Sequence, residues 1–321
     1  MKALVTGGAG FIGSHIASRL IADGHQVRVL DNFSTGSRSN LSLFDGEFEL
    51  IEGDMQSYER AHNAVQGCEV VFHQAALPSV PRSIQDPLTS NAANVVGTLN
   101  ILLASRDSGV RRVVFASSSS IYGADRTLPK QEDRAPVPIS PYAVAKLASE
   151  GYCRSFSEVY GLETVALRYF NVFGPRQDPL SQYAAVIPRF ITALLEGKAP
   201  VVFGDGEQSR DFTYIDNVID ANLRAADAEG VSGQTFNVAC GERISLNRLL
   251  DEIRAIVGSE VEASYLDPRQ GDVKHSLADI SRARDQLDFA PLVDFNEGLL
   301  RTVEALRAGT ELDGAPRPIA S

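Results

Sequence analysis

The sequence predicts an α/β protein: a doubly wound parallel sheet followed by a smaller C-terminal domain of mixed structure. Three observations predict it. Short runs rich in Val, Leu and Phe alternate with longer helical patterns through the first half. A glycine cluster follows the first of these runs directly. Beyond Tyr169 the alternation stops at the breaker-rich stretch Gly174-Pro175-Arg176-Gln177-Asp178-Pro179. Continuous apolar strands separated by helices are the pattern of a sheet covered on both faces, because such strands have no wet side.

The expected strands lie near Lys2 to Thr6, Gln26 to Asp31, Phe48 to Glu52, Glu69 to His73, Arg112 to Ser117 and Thr164 to Tyr169. Helical patterns run from Phe11 to Asp23, Asn91 to Ser108 and Pro141 to Tyr160. With 321 residues the chain exceeds the usual domain of roughly 100 to 200, so two parts are expected. The division falls at 1–170 and 171–308, with 309–321 a loose tail rich in small and polar residues.

Hydrophobic residues at 44% and charged residues at 22% are ordinary for a globular chain. A formal charge of −11 argues against nucleic acid, whose phosphates require a basic face. Cys68, Cys153 and Cys240 are widely spaced without a CxxC, so no disulfide framework and no metal site is expected, and a reducing compartment fits. The N-terminus reaches glycines too soon for a signal peptide, and no run approaches a membrane span's length. The expectation is a cytoplasmic protein with no membrane partner.

Gly7-Gly8-Ala9-Gly10-Phe11-Ile12-Gly13 satisfies G-x-G-x-x-G through Gly8, Gly10 and Gly13. Glycine permits a tight turn, close approach of a pyrophosphate to backbone N–H groups, and close packing of helix on strand. Such a motif alone is weak. Here a strand precedes it, a helix follows it, and Asp31 ends the second strand about 20 residues on, where an acid binds an adenosine ribose. The combination predicts NAD rather than NADP, since a carboxylate there repels a 2′-phosphate. Asp54-Met55, after the third strand, is either an adenine contact or a simple turn.

Tyr142-Ala143-Val144-Ala145-Lys146 sets a phenol and an ammonium one helical turn apart. An ammonium near a phenol lowers the tyrosine pKa from about 10 toward working pH, as general base chemistry requires. Upstream, Ser117-Ser118-Ser119-Ser120 follows an apolar strand, and the carboxyl ends of strands are where open α/β sheets place their chemistry.

Gly7 to Gly13, Asp31, Ser118, Tyr142 and Lys146, with Leu167-Arg168-Tyr169-Phe170-Asn171-Val172-Phe173-Gly174-Pro175, resemble the extended short-chain dehydrogenase family, notably its UDP-sugar 4-epimerases. The resemblance runs to about Ala308. It implies that Tyr142 takes the proton of the sugar 4-OH, Ser118 hydrogen-bonds the same oxygen, and Lys146 tunes Tyr142 and holds the nicotinamide ribose. Hydride passes from C4 to NAD and returns to the other face of a 4-keto sugar. It also implies NAD contacts from Phe11, Ile12, Asn32, Asp54, Met55, Ala75 and Tyr169, and a homodimer through the segments Asn91 to Ser108 and Pro141 to Tyr160.

For the substrate, the resemblance implies a UDP-sugar site formed by Ser79, Ser118, Ser119, Asn171, Val186, Phe203, Arg210, Arg269, Asp272 and Ser276. Relatives that dehydrate or decarboxylate carry carboxyl residues just after the catalytic hydroxyl; here Ser119 and Ser120 stand there, which favours simple epimerisation. Ser276 matches a position that a tyrosine closes in epimerases restricted to plain sugars, so room for an N-acetyl group is expected. A UDP-glucuronate 4-epimerase, with Arg82 or Arg176 taking the carboxylate, is the nearest alternative. A non-catalytic NAD-binding protein is another, since fold alone never proves activity.

Overall fold

The six expected strands all form: β1 (Lys2–Thr6), β2 (Gln26–Asp31), β3 (Glu49–Glu52), β4 (Val70–His73), β5 (Arg112–Ser118) and β6 (Glu163–Tyr169). The computed structural model describes residues 1–178, 185–268 and 274–313. Beyond β6 come β7 (Val172–Phe173), β8 (Val201–Phe203), β9 (Ser209–Arg210), β10 (Thr213–Tyr214), β11 (Gln234–Val238), β12 (Ile244–Ser245) and β13 (Ser264–Leu266). The central sheet has seven strands in the order β11-β6-β5-β4-β1-β2-β3, and every pairing in it is parallel.

Successive side chains on a strand face opposite ways, and here both faces are buried. Ala3 and Val5 join one apolar cluster with Val29, Phe72, Val114 and Leu167, while Leu4 joins the other with Leu30, Val71, Val113 and Phe115. Each fully buried Leu, Val or Phe contributes about 1.5 to 3 kcal/mol relative to exposure. The sheet is therefore the rigid floor on which the carboxyl strand ends are held.

Two features of the fold go beyond the local pattern. The boundary near residue 170 does not divide the sheet: β11 pairs with β6 from Gln234 opposite Val165 to Val238 opposite Tyr169. Its short Gln-Thr-Phe-Asn-Val run lies far beyond the last alternating strand and helix, so local pattern did not reveal it. The helix expected from Asn91 to Ser108 is interrupted as well. A wide π turn at Ala92–Val96 joins Pro87–Asn91 to Gly97–Asp107. Gly97 follows it where an added Cβ would lie 2.8 Å from Met55 Cγ. By contrast, the Pro141–Tyr160 helix has the expected limits, capped by the Ser140 hydroxyl on the Ala143 N–H, with Pro141 in its first turn and left-handed Gly161 at its end.

The remaining strands form three small pairs, β7 with β10, β9 with β12 and β8 with β13. Among the described residues no helix is long and apolar enough to cross a membrane.

Candidate active site

The glycine turn follows β1 and opens the Phe11–Ala22 helix. Gly7 has φ +68° and donates its N–H to Leu30 O at 2.8 Å; Gly10 donates to Gly7 O at 3.0 Å. A Cβ at Gly13 would fall 2.2 Å from Gly7 O, and one at Gly8 would fall 2.8 Å from Val29 Cγ1. These two glycines bring turn, helix and β2 together. At Gly10 the added Cβ would meet only Gly7 O, at 3.1 Å, with open space otherwise. No side chain caps this helix, so its first N–H groups, at Phe11 and Ile12, face a gap suited to an anion.

Asp31 ends β2 with Oδ1 accepting the Phe33 N–H at 2.8 Å and Oδ2 accepting the Ala9 N–H at 2.9 Å. Burial raises its pKa above the ordinary carboxylate value, against the pull of the Phe33, Ala9 and Asn32 amides. Asn32 donates to Asp54 Oδ2 at 2.9 Å, and Asp54 also closes its own turn by accepting the Gln56 N–H. These bonds show Asp54 as a turn former. Met55 is buried, and its carbonyl accepts from Asn100 at 3.0 Å. Ala75 lies against Gly7, whose added Cβ would be 2.8 Å from Ala75 Cα.

At the carboxyl end of β5, the Ser118 hydroxyl stands beside the Tyr142 phenol and counters part of its burial. It also accepts the Ser120 N–H at 3.2 Å, shaping the turn Ser119–Tyr122. Lys146 donates Nζ to Ala116 O at 2.7 Å and lies 6.0 Å from the Tyr142 ring centroid. Burial pushes Tyr142 up to about 12, with the Ser118 hydroxyl opposing it. Burial also pushes Lys146 down to about 8, opposed by Cys153 and Glu150. The expected lowering of the phenol by the ammonium is therefore not what the structure holds. Desolvation governs the phenol, and the ammonium is turned to a backbone carbonyl.

Tyr169 is buried, and its hydroxyl donates to Gln74 Oε1 at 3.1 Å and accepts from Asn222 Nδ2 at 2.8 Å. Ser79 caps the Val80–Gln85 helix by accepting the Arg82 N–H at 3.1 Å. That short helix touches the Pro141–Tyr160 helix, since the Tyr142 N–H donates to Ser83 Oγ at 3.1 Å.

Asn171, Val186, Phe203 and Arg210 come together around a cavity of about 250 Å3. Asn171 donates Nδ2 to Asp211 O at 3.1 Å, and Arg210 donates Nη1 to Ser209 O at 3.0 Å. Ser276 is half-buried and donates its N–H to Ser209 O at 3.0 Å, beside Arg210 but not among the residues lining this cavity. Arg269 and Asp272 lie outside the described residues. Of the arginines weighed for a uronate, Arg176 reaches Ser18 at 3.0 Å on the first helix.

The description of one protein family, "NAD dependent epimerase/dehydratase family", fits residues 3–239. The chain belongs to this family. It is 41% identical to the UDP-glucose 4-epimerase of Mycolicibacterium smegmatis over 311 residues, covering 96% of this chain and 99% of the relative. Among solved structures, a UDP-N-acetylglucosamine 4-epimerase from Methanobrevibacter ruminantium M1, in complex with UDP-N-acetylmuramic acid, superposes with TM-score 0.92 at 44% identity, covering 96% of this chain and 98% of the other. The UDP-glucose 4-epimerase of Thermus thermophilus, in complex with NAD, gives 0.88 at 35% identity, covering 98% and 100%.

NAD is the cofactor of the epimerase/dehydratase family, and the residues present fit it: the open space above Gly10 and the uncapped helix suit a pyrophosphate. The resemblance also singles out the place where dehydratases of this kind carry carboxyl groups. Here that place is Ser119–Ser120, on the turn directly after Ser118. Sequence reasoning missed Arg189, Gln208, Phe212 and Leu246, which also line the cavity. Gln208 and Phe212 stand two residues either side of Arg210, so extended-chain alternation around that arginine was the available signal. It also missed Glu150, one turn after Lys146, which is buried against Arg168 at 2.8 Å.

Proposed function

We propose that the chain interconverts C4 epimers of a UDP-hexose, with UDP-N-acetylglucosamine and UDP-N-acetylgalactosamine as the preferred pair and the plain UDP-sugars as further substrates. The observation that carries this reading is Ser118 beside the buried Tyr142 phenol with Lys146 one turn on, at the carboxyl edge of the sheet that also bears Gly7 and Asp31. NAD, when bound, supplies the acceptor and donor of hydride at C4. Tyr142 takes the proton of the 4-hydroxyl and returns it after the ring has turned, and Ser118 holds that oxygen in line with the phenol. Lys146 contributes positive charge beside them. Asp31, Asn32, Asp54, Met55, Ala75 and Tyr169 are assigned to the cofactor's surroundings, on the family resemblance.

Asn171, Val186, Phe203 and Arg210 are assigned to the uridine diphosphate. Apolar walls with two guanidinium groups, from Arg189 and Arg210, suit a base and a diphosphate, since arginine matches phosphate oxygens bidentately. The choice of acetylated sugar rests on Ser276, whose small side chain leaves room that a tyrosine would take. A homodimer belongs to the same reading: Val144, Tyr152, Val159 and Tyr160 stand exposed on the Pro141–Tyr160 helix, and Val96 stands exposed at the end of the Ala92–Val96 turn. Light scattering on the purified protein reads that point.

The test of the reaction is a panel of UDP-sugars incubated with purified protein without added NAD, the products identified by NMR. Conversion between C4 epimers, fastest for the N-acetylated pair, is expected. Turnover of UDP-glucuronate alone would replace the substrate, and no turnover of any UDP-sugar would end the proposal.

A further inference from the structure

Glu150 and Arg168 are an ion pair in which neither side chain is more than 7% exposed. Arg168 Nε and Nη2 reach the two carboxylate oxygens at 2.9 and 2.8 Å, a bidentate grip. The Ser117 hydroxyl donates to Glu150 Oε1. On its other side Arg168 donates Nη1 to the Tyr122 hydroxyl at 2.9 Å, which donates to Asn237 Oδ1 on β11 at 2.7 Å. Stability is a poor reason for such a pair, because apolar residues of similar volume commonly replace one without loss.

We infer that Glu150 is a positioning residue for the proposed reaction. Gripped by Arg168, its carboxylate fixes Ser117, and with it Ser118, against the catalytic helix, and sets a negative charge one turn from the Lys146 ammonium. The first half of this inference rests on the reaction proposed above; the second does not. Lys146 is faced by Tyr142, Glu150 and Cys153 from its own helix, by the Ala116 carbonyl and Phe115 ring from β5, and by His73 from β4. His73 is neutral over the working range, since burial holds it down at about 3. Burial pushes the Cys153 thiol well above its ordinary range, so it is uncharged too. Glu150 is left as the anion that sustains the ammonium.

The chain has five lysines, so the Lys146 signal can be followed by 13Cε NMR in the cofactor-free protein and assigned by its loss in Lys146→Met. In Glu150→Gln the Lys146 titration midpoint is expected to fall by on the order of one pH unit. In the UDP-sugar assay the same variant loses kcat with little change in KM, and the alkaline limb of its pH profile moves down with the NMR midpoint. Arg168→Gln, which keeps the carboxylate, holds or raises that midpoint. A purely structural pair would lower the melting temperature in both variants and leave the Lys146 midpoint unmoved, which overturns the inference. If Glu150→Gln does not fold, Glu150→Asp, which keeps the charge but draws it back from Ser117 and Lys146, is read instead and is expected to lower the Lys146 midpoint by less; an unmoved midpoint overturns the inference. A protein that turns over no UDP-sugar, yet shifts its Lys146 midpoint with Glu150, fails the reaction and upholds the charge relationship.

Discussion

The carboxylate of Asp31 accepts the backbone N–H of Ala9 at 2.9 Å, so the acid that ends β2 is fastened to the glycine turn that ends β1. The same carboxylate holds the Phe33 N–H at 2.8 Å. One side chain thus shapes the turn and, in the proposed function, meets the ribose.

Asp31→Ala is expected to weaken NAD binding, because both the ribose acceptor and the anchor of Ala9 are lost. A hydrogen bond to a charged group is worth about 1.5 to 3 kcal/mol, so Kd rises roughly ten- to hundred-fold. Calorimetry on cofactor-free protein measures it. An unchanged Kd removes Asp31 from the site.

Tyr142→Phe deletes only the hydroxyl that meets Ser118. The variant is expected to fold and hold NAD, and to lose about 10²- to 10⁴-fold in kcat, the usual worth of general base catalysis. Turnover near that of the unaltered protein would dismiss the phenol as the proton carrier.

Ser276→Tyr tests the sugar choice. Its backbone is tied to Ser209, next to Arg210, which lines the cavity. If Ser276 borders the C2 substituent, the larger ring excludes UDP-N-acetylglucosamine and spares UDP-glucose. Overpacking costs about 1 to 3 kcal/mol, or about ten- to hundred-fold in relative kcat/KM. The ratio between the two sugars cancels general damage, and a ratio that stays put withdraws Ser276 from the pocket.

Acid should loosen the fold through one half-buried and one buried histidine. His15, whose Nε2 lies 2.9 Å from Pro175 O, is held down at about 4, and His73, between Thr6 and Thr98, at about 3, both chiefly by burial. Their folded pKa values lie below the unfolded value near 6.5, so between about 6.5 and 4 the unfolded chain binds more protons. Stability is therefore full above pH 6.5 and falls as pH drops, by roughly 3 kcal/mol for His15 on the linkage relation. Urea titrations from pH 7.5 to 4.5 read the slope, and His15→Gln should flatten it. An identical slope in that variant assigns the acid sensitivity elsewhere.

The parts legible in the sequence were those governed by neighbours along the chain. Apolar runs set β1 to β6, the glycine spacing set the first turn, and Ser140-Pro141 with Gly161 set the catalytic helix at both ends. Tyr142 and Lys146 share a helix face by spacing alone. What they do to each other was decided elsewhere. Desolvation depends on every element packed around a group, and it moves the phenol up and the ammonium down. The same holds for β11, which joins the sheet from beyond residue 170, and for Arg168, which meets Glu150 only because β6 lies beneath the catalytic helix. Local spacing determined which groups this chain carries and on which strand ends they stand. Tertiary burial alone decided their charge, their partners and the shape of the cavity, because those follow from distances between segments that no local pattern encodes.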